Sequence, residues 1–260
     1  MSLNKSYLDQ FIKVTEYAAY GASHFIGKED KNAADQGAVD KMRSELNKID
    51  MEGTVVIGEG EMDEAPMLFV GEKVGTKKGL QLDLALDPLE GTNFTAKNLP
   101  GAFSVLVVAE KGNLLSAPDT YMEKIVIGSN LPENLLDLDN SVEININLLS
   151  KAKNKPVSEL SACILNRPRH KKIIEALNKL NVKISFITDG DIAGALSVVG
   201  NNPKNDIYLG TGGGPEGVIT AAALSCYGGQ IQGRLVLDKD EIIRAKKLGI
   251  QDFKKKYNTM

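Results

Sequence analysis

Beyond Glu143 the chain alternates two kinds of segment, and that alternation limits the folds open to it. "SACILN", "KISFIT", "DIYLG" and "QIQGRLV" are short and strand-like, while "RPRHKKIIEALNKL", "DIAGALSVVG", "PEGVITAAALSCYGG" and "DEIIRAKKLG" between and after them are helix-like. Strands separated by helices bury their faces only as an α/β unit. The first half reads differently. Apolar residues at helical spacing (Leu8, Phe11, Ile12, Thr15, Ala18, Ala19) predict a helix from Tyr7 to Ile26, and a second is expected from Ala33 to Ile49. "TVVIG" (54–58) and "LQLDLALD" (80–87) read as strands, "DEAPMLFVGEKVG" between them as a helix, and "SVLVVAEKGNLLSA" as a hairpin turning at Lys111 to Asn113. Two α/β lobes follow, 1–145 and 146–260, divided near "LDLDNSVEININLLSKAKNKP". No internal repeat or low-complexity tract interrupts them.

Composition removes several classes of function. A chain of 260 residues that is 42% hydrophobic can build a substantial core. A formal net charge of -3 leaves no footprint for broad nucleic-acid or acidic-membrane binding. Charges interrupt the apolar residues of "MSLNKSYLDQFIKVTEYAAYG", so a signal-peptide core is lacking, and no later stretch has the length of a membrane span; a cytoplasmic protein is expected. Cys163 and Cys226 each sit among apolar neighbours and read as reduced, buried core positions. With His24 and His170 the only histidines, chemistry is expected to run on carboxylates.

Four stretches carry that chemistry. Asp35 falls on the helical stripe of Val39, Met42 and Leu46, so it points toward the core side; taken alone, a first-turn acid favoured by the helix dipole is the better explanation. Lys31, one turn earlier, could pair with it or reach an anionic ligand. In "VVIGEGEMDEAP" four carboxylates, Glu59, Glu61, Asp63 and Glu64, fall within six positions, and such crowding opposes ionisation unless protons, basic groups or metal cations sit among them; an exposed acidic turn whose Asp63 and Glu64 precede a proline-started helix is the alternative that needs no function. Glu59 follows its strand directly across Gly58, where α/β proteins place sites. In "LDLALDPLEGTNF" a strand ends on Asp87, Pro88 sets the turn, Glu90 follows, Gly91 lets the backbone approach a ligand and Thr92 offers a hydroxyl. Asp87, the Leu89 carbonyl and Glu90 suit adjacent vertices of an octahedral Mg²⁺ or Mn²⁺.

The fourth stretch, "YLGTGGGPEGVITAAAL", matches G-x-G-x-x-G through Gly212, Gly214 and Gly217. A dinucleotide fingerprint usually opens its domain and is followed by an acid at the end of the next strand. Here the match comes late and the next strand carries Arg234. The alternative is a backbone approach to a sugar phosphate, with Glu216 adding a carboxylate to a metal cluster. Arg167 and Arg169 in "NRPRHKK" could fork onto phosphate oxygens, and Asp189 and Asp191 in "TDGD" suit sugar hydroxyls, an N-cap being an equal explanation for Asp189.

"GEGEMDEAPML", "LDPLEGT", "NRPRH", "TDGDIAGA" and "GTGGGPEGVITAAAL", in this order and spacing, closely resemble the class II, GlpX-type fructose-1,6-bisphosphatases of bacteria, over residues 5 to 258. "DPLEGT" is also similar to the metal-site turn of the wider lithium-sensitive phosphatase superfamily. The resemblance implies a layered α/β sugar-phosphatase fold, a homodimer or homotetramer, Mn²⁺ or Mg²⁺ as cofactor, a sugar bisphosphate as small-molecule partner, and a place in gluconeogenesis. It implies metal ligands at Asp35, Glu59, Asp87, Glu90 and Glu216. Substrate contacts are implied at Glu90, Gly91, Thr92, Tyr121, Arg167, Pro168, Arg169, Asp189, Gly190, Asp191 and Gly213. Lys31, Asp63 and Thr92 are implied for catalysis. Family members usually continue past the equivalent of Tyr257, beyond which this chain has three residues.

On this reading the acids of "GEGEMDEAP" tolerate one another because cations sit among them, with Glu61 and Glu64 solvated. Rival readings are sedoheptulose-1,7-bisphosphatase or inositol-monophosphatase-like activity, an NAD-dependent oxidoreductase using the glycine-rich turn, and a sugar-phosphate sensor without turnover.

Overall fold

The computed structural model describes residues 3, 5–58 and 67–259. The chain divides into two compact units, Met1–Asp119 and Thr120–Met260. This boundary falls earlier than the expected 145/146. The stretch read as a connector contains instead a helix capped by the Ser141 side chain, which accepts from Ile144 N at 3.3 Å, and sequence-central strand residues 121–127 already belong to the second sheet.

The first unit is a four-stranded sheet under two helices. α1 (Lys5–Ser23) and α2 (Lys31–Leu46) cross closely at Gly21 and Gly37, where a Cβ on Gly37 would lie 2.8 Å from the Gly21 carbonyl oxygen. Asp30 caps α2 by accepting from Ala33 N at 2.9 Å. β1 (Met51–Ile57), β2 (Lys73–Val74), β3 (Leu80–Glu90) and β4 (Phe103–Glu110) lie in the order β2-β1-β3-β4, with β1 and β3 parallel and the other pairs antiparallel. Leu82, Leu84 and Leu86 of β3 form one core with Val39, Met42 and Leu46 of α2. A short helix, α3 (Thr92–Ala96), follows β3.

Two expectations change here. Residues 67–75 are not helical: Glu72 N bonds Phe69 O in a turn and β2 then pairs with β1, while 63–66 lie outside the described residues. The reason is a tertiary anchor, since Arg43 of α2 grips the Glu72 carboxylate through Nε at 2.7 Å and a second nitrogen at 3.1 Å. The hairpin also fails to form. The chain does turn at 111–113, with Gly112 N donating to Asp83 Oδ2 at 2.7 Å, but β4 pairs back onto β3 and no strand follows at 114–117.

The second unit is a six-stranded mixed sheet, β10-β9-β5-β8-β6-β7, built from β5 (Tyr121–Ile127), β6 (Ser161–Leu165), β7 (Lys183–Ile187), β8 (Ile207–Gly213), β9 (Gln230–Val236) and β10 (Tyr257–Asn258). α4 (Val142–Lys153) and α5 (Lys171–Lys179) lie with a core containing Ile125, Ile127, Ile207 and Leu209. α6 (Asp191–Leu196) and α7 (Gly214–Tyr227) lie with a core containing Val126 and Tyr208, residues of opposite parity on the same strands, so helices cover both faces. α8 (Lys239–Lys247), capped by Asp238, supplies Ala245 to a smaller cluster with Met122 and Leu235. Cys163 is buried and its thiol is pushed up to about 11 by desolvation. Cys226 is exposed, contrary to expectation, because Thr220 and Leu224 set the buried side of α7 and position 226 falls off it.

Asp206, just before β8, is the main buried ionic junction outside the site. Burial opposes its charge, but Lys153 at 2.7 Å, Lys155 at 2.8 Å and Ser161 N at 2.8 Å prevail and hold its pKa at about 2. A pKa depressed on folding stabilises the protein above the unfolded value of 3.8 and loses that contribution as pH falls toward about 2. Urea titrations of Asp206→Asn are expected to show a loss of about 2 kcal/mol at pH 7 that shrinks as pH falls through this window.

Candidate active site

The described candidates fall in two groups, one on each unit. In the first unit the decisive feature is an irregularity in β3. Asp87 faces Val105 of β4 and Glu90 faces Phe103, so three steps along β3 match two along β4. Residues an odd number apart on a regular strand point to opposite faces; the bulge at Pro88–Leu89 adds the step that puts Asp87 and Glu90 on one face. Leu86 and Leu89, also three apart, both enter the helix-side core, which independently requires the same bulge. The distortion is held by the Ser104 hydroxyl donating to Pro88 O at 2.6 Å and by Leu89 N donating to Asp87 Oδ1 at 3.0 Å.

Gly91 follows with φ 79° and ψ 47°, a left-handed conformation suited to glycine, and Thr92 opens α3. Gly27 N to Thr95 O (3.0 Å) and Glu29 N to Ala96 O (2.9 Å) tie the α1–α2 connection to α3. Lys31 is exposed at the start of α2; Asp35, one turn on, is half-buried with Oδ1 fully buried.

The donor chemistry fits a hard divalent cation: two carboxylates on one strand face beside a backbone carbonyl. Among the described residues no group of three or more His, Cys, Asp or Glu side chains could hold a metal ion. Of the expected ligands Asp35, Asp87, Glu90 and Glu216 are described, and of these Asp87 and Glu90 share a strand face; Glu59, like Asp63, lies outside the described residues.

In the second unit, strand direction gathers the rest. β6, β7 and β8 run parallel, and β5 runs antiparallel to β8, so the C-terminal ends of three strands and the start of β5 share one sheet edge. Arg167, Pro168 and Arg169 follow β6, Asp189, Gly190 and Asp191 follow β7, Gly213 ends β8, and Tyr121, paired with Gly213, begins β5. This is where open α/β sheets take ligands.

Arg169 donates from Nε to Thr211 O at 2.8 Å and stacks over the Tyr121 ring, 4.7 Å from its centroid. Arg167 donates to Thr188 O at 2.7 Å. His170 is buried: Leu165 O at 2.6 Å takes the Nδ1 proton and Nε2 accepts from Thr211 N at 2.8 Å, which defines the neutral tautomer. Burial lowers its pKa below the ordinary value. Arg169 and His170 thus clip the β6–α5 turn to β8.

Asp189 accepts from Gly190 N at 3.1 Å and is not a helix cap, since Gly190 (φ 80°) holds that position in α6. Asp191 departs from expectation. Its carboxylate turns inward and both oxygens are engaged, one by the Lys124 ammonium and the other by the Tyr208 hydroxyl. Lys124, 1% exposed, also donates to Gly213 O at 2.7 Å.

These contacts explain the glycines of "GTGGGPEG". A Cβ on Gly212 would collide with the Asp191 carboxylate, one on Gly213 with the Glu216 carboxylate, and one on Gly217 with Met122. The space at the start of α7 is taken by the chain's own acid, which removes the pyrophosphate place of a dinucleotide turn. Arg234 pairs with Glu123 at 2.8 Å and Asp139 at 2.6 Å on β9, a structural duty.

Lys124 and Tyr208 were not foreseen. "YMEKIVI" carries charge at 123 and 124 on both faces, which hides the row Met122, Lys124, Val126; an unbroken Met-x-x-x-Val frame was the only available hint.

A family described as bacterial fructose-1,6-bisphosphatase, glpX-encoded, matches residues 5–260. The chain belongs to that family, one of metal-dependent sugar-bisphosphate phosphatases. It is 41% identical over 256 residues to the class 2 fructose-1,6-bisphosphatase 1 of Escherichia coli strain K12, covering 93% of this chain and 76% of that one. The Haemophilus influenzae class 2 enzyme is 44% identical over 234 residues, covering 90% and 70%. The class 2 fructose 1,6-bisphosphatase/sedoheptulose 1,7-bisphosphatase of Trichodesmium erythraeum is 38% identical over 274 residues, covering 96% and 79%. Among solved structures an extragenic suppressor from Pyrococcus furiosus aligns at TM-score 0.38 and 15% identity over 74% of this chain and 70% of its own, too remote to argue from.

Gly212→Ala is expected to cost about 1–3 kcal/mol by overpacking against Asp191, read as a lowered midpoint in urea; an unchanged midpoint would contradict the close approach.

Proposed function

We propose that the chain hydrolyses the C1 phosphate of D-fructose 1,6-bisphosphate, giving fructose 6-phosphate and phosphate, as a phosphoric monoester hydrolase of gluconeogenesis. The observation that carries this reading is the β3 bulge, which turns Asp87 and Glu90 to one face directly before Gly91 and Thr92, in a chain of this family.

The carboxylates assigned to metal are Asp35, Glu59, Asp87, Glu90 and Glu216. Mn²⁺ or Mg²⁺ bound to such oxygens supplies charge neutralisation for a phosphate and a bound water of lowered pKa. Thr92, oriented by Asp63 or Glu59, positions the attacking water or relays its proton, and Lys31 adds positive charge toward the phosphate.

Arg167 and Arg169 hold the sugar's other phosphate. Arg169 is already fixed by Thr211 and Tyr121, so little side-chain freedom is lost on binding. Remote phosphate binding then contributes to turnover at C1. Asp189, Gly190 and Gly213 frame the sugar, with Asp191 contributing through its backbone because its carboxylate is engaged. Sedoheptulose 1,7-bisphosphate is a second substrate reading, favoured by the two activities for which the Trichodesmium erythraeum relative is named. Among the described residues no helix is long and apolar enough to cross a membrane; the working form proposed is a cytoplasmic homodimer or homotetramer.

The test is phosphate release from fructose 1,6-bisphosphate with Mn²⁺, with Mg²⁺ and with EDTA. Metal-dependent release abolished by EDTA is expected, and no release with either metal from folded protein would overturn the reading. Asp87→Ala should lower turnover by at least about 10³-fold with the circular dichroism spectrum unchanged; full activity in that folded variant would sink the assignment of Asp87.

A further inference from the structure

We propose that Lys124 and Tyr208 are positioning residues for the sugar-binding edge, which hold the β7–α6 turn (188–191) and the β8–α7 turn (211–216) in one relative placement through Asp191. The inference rests on the bisphosphatase reading for its kinetic consequence but not for its geometry.

Lys124 stands in β5 between Met122 and Val126 on the face covered by α6 and α7, and is 1% exposed. Its ammonium bonds Asp191 at the start of α6 and Gly213 O where β8 passes into α7. One side chain thus joins two turns whose strands, β7 and β8, are separated in the sheet by β6. Tyr208, fully buried on β8, donates to the other Asp191 oxygen, so the carboxylate is held from two strands at once. Gly212 leaves the space that this carboxylate occupies.

An apolar side chain at 124 would fill a row between Met122 and Val126 without the desolvation of an ammonium and a carboxylate, and such replacement is often neutral or stabilising. The ion pair is therefore not the economical way to stabilise this sheet. What it adds is direction: a charge-assisted linkage admits one geometry where apolar packing admits several. The two turns so joined carry Asp189 and Gly190 on one side and Gly213 and Glu216 on the other.

The experiment compares wild type, Tyr208→Phe, and the charge-neutral pair Lys124→Met with Asp191→Leu, which avoids leaving a lone buried charge. Two readouts are taken on the full chain: steady-state kinetics with fructose 1,6-bisphosphate, and amide hydrogen exchange resolved to segments 188–191 and 211–216. For Tyr208→Phe, loss of one hydrogen bond to a charged group is expected to raise KM about tenfold with kcat changed less than about twofold. Exchange should accelerate in both turns together and stay unchanged in α1 and α2. The double variant should shift both readouts further in the same direction. Unchanged KM and exchange in folded Tyr208→Phe would overturn the proposal, as would a lowered thermal midpoint with KM and exchange unchanged, the signature of a purely structural role. Should wild type release no phosphate, the bisphosphatase reading fails, and joint exchange of the two turns still decides the coupling.

Discussion

A strand's side chains alternate with a period of two, and the first unit depends on one deliberate break in that period. Up to Leu86, β3 sends even-numbered leucines toward the helices. Without the extra residue at Pro88–Leu89, Glu90 would face the helices and Leu89 would leave the core. The bulge satisfies both demands: Leu89 stays with the core and the two acids share a face. Pro88 suits the break because it has no N–H to contribute to a ladder. The carbonyl that the break exposes is not lost, since Ser104 donates to it.

The second unit meets a different constraint, the burial of charge at a sheet edge. Three turns converge there because three parallel strands end together and β5 starts beside them. Charged side chains at that edge are either committed to backbone or to one another. His170 is neutral and bonded at both nitrogens, Arg169 is anchored by a carbonyl and an aromatic face, and Asp191 is enclosed by Lys124 and Tyr208. Rigid support of this kind is what places a group closely enough to matter for binding.

Much of the architecture was legible because periodicity reports burial directly. Both N-terminal helices, β1, β3 and the four strands and four helices named beyond Glu143 stand close to where their patterns put them, and Asp35 lies on the expected stripe with Val39, Met42 and Leu46. What failed shares one cause, tertiary contact overriding local pattern. Residues 67–75 look helical until Arg43, far away in sequence, takes Glu72; the second hairpin strand is unnecessary once β4 pairs with β3. β5 went unseen because its inward row includes a lysine, which makes sense only after Asp191 is known to face it. The same holds at the site. "DPLEGT" announces its acids, yet that they share a face depends on a register with β4 that no local pattern carries.

Gly212 and Asp191 are, in volume, a single choice. The void left by the missing side chain at 212 is the void that the carboxylate at 191 fills. A change at either position alone therefore makes either a clash or a hole: alanine at 212 presses on a fixed charge, and a smaller residue at 191 takes away the carboxylate that Lys124 and Tyr208 both bond. The substitution that keeps the volume filled is a paired one, large for small on β8 and small for large on the turn after β7. A pattern search counts such a glycine as part of a nucleotide-binding signature, when its meaning lies wholly in the size of one acid about 20 residues before it.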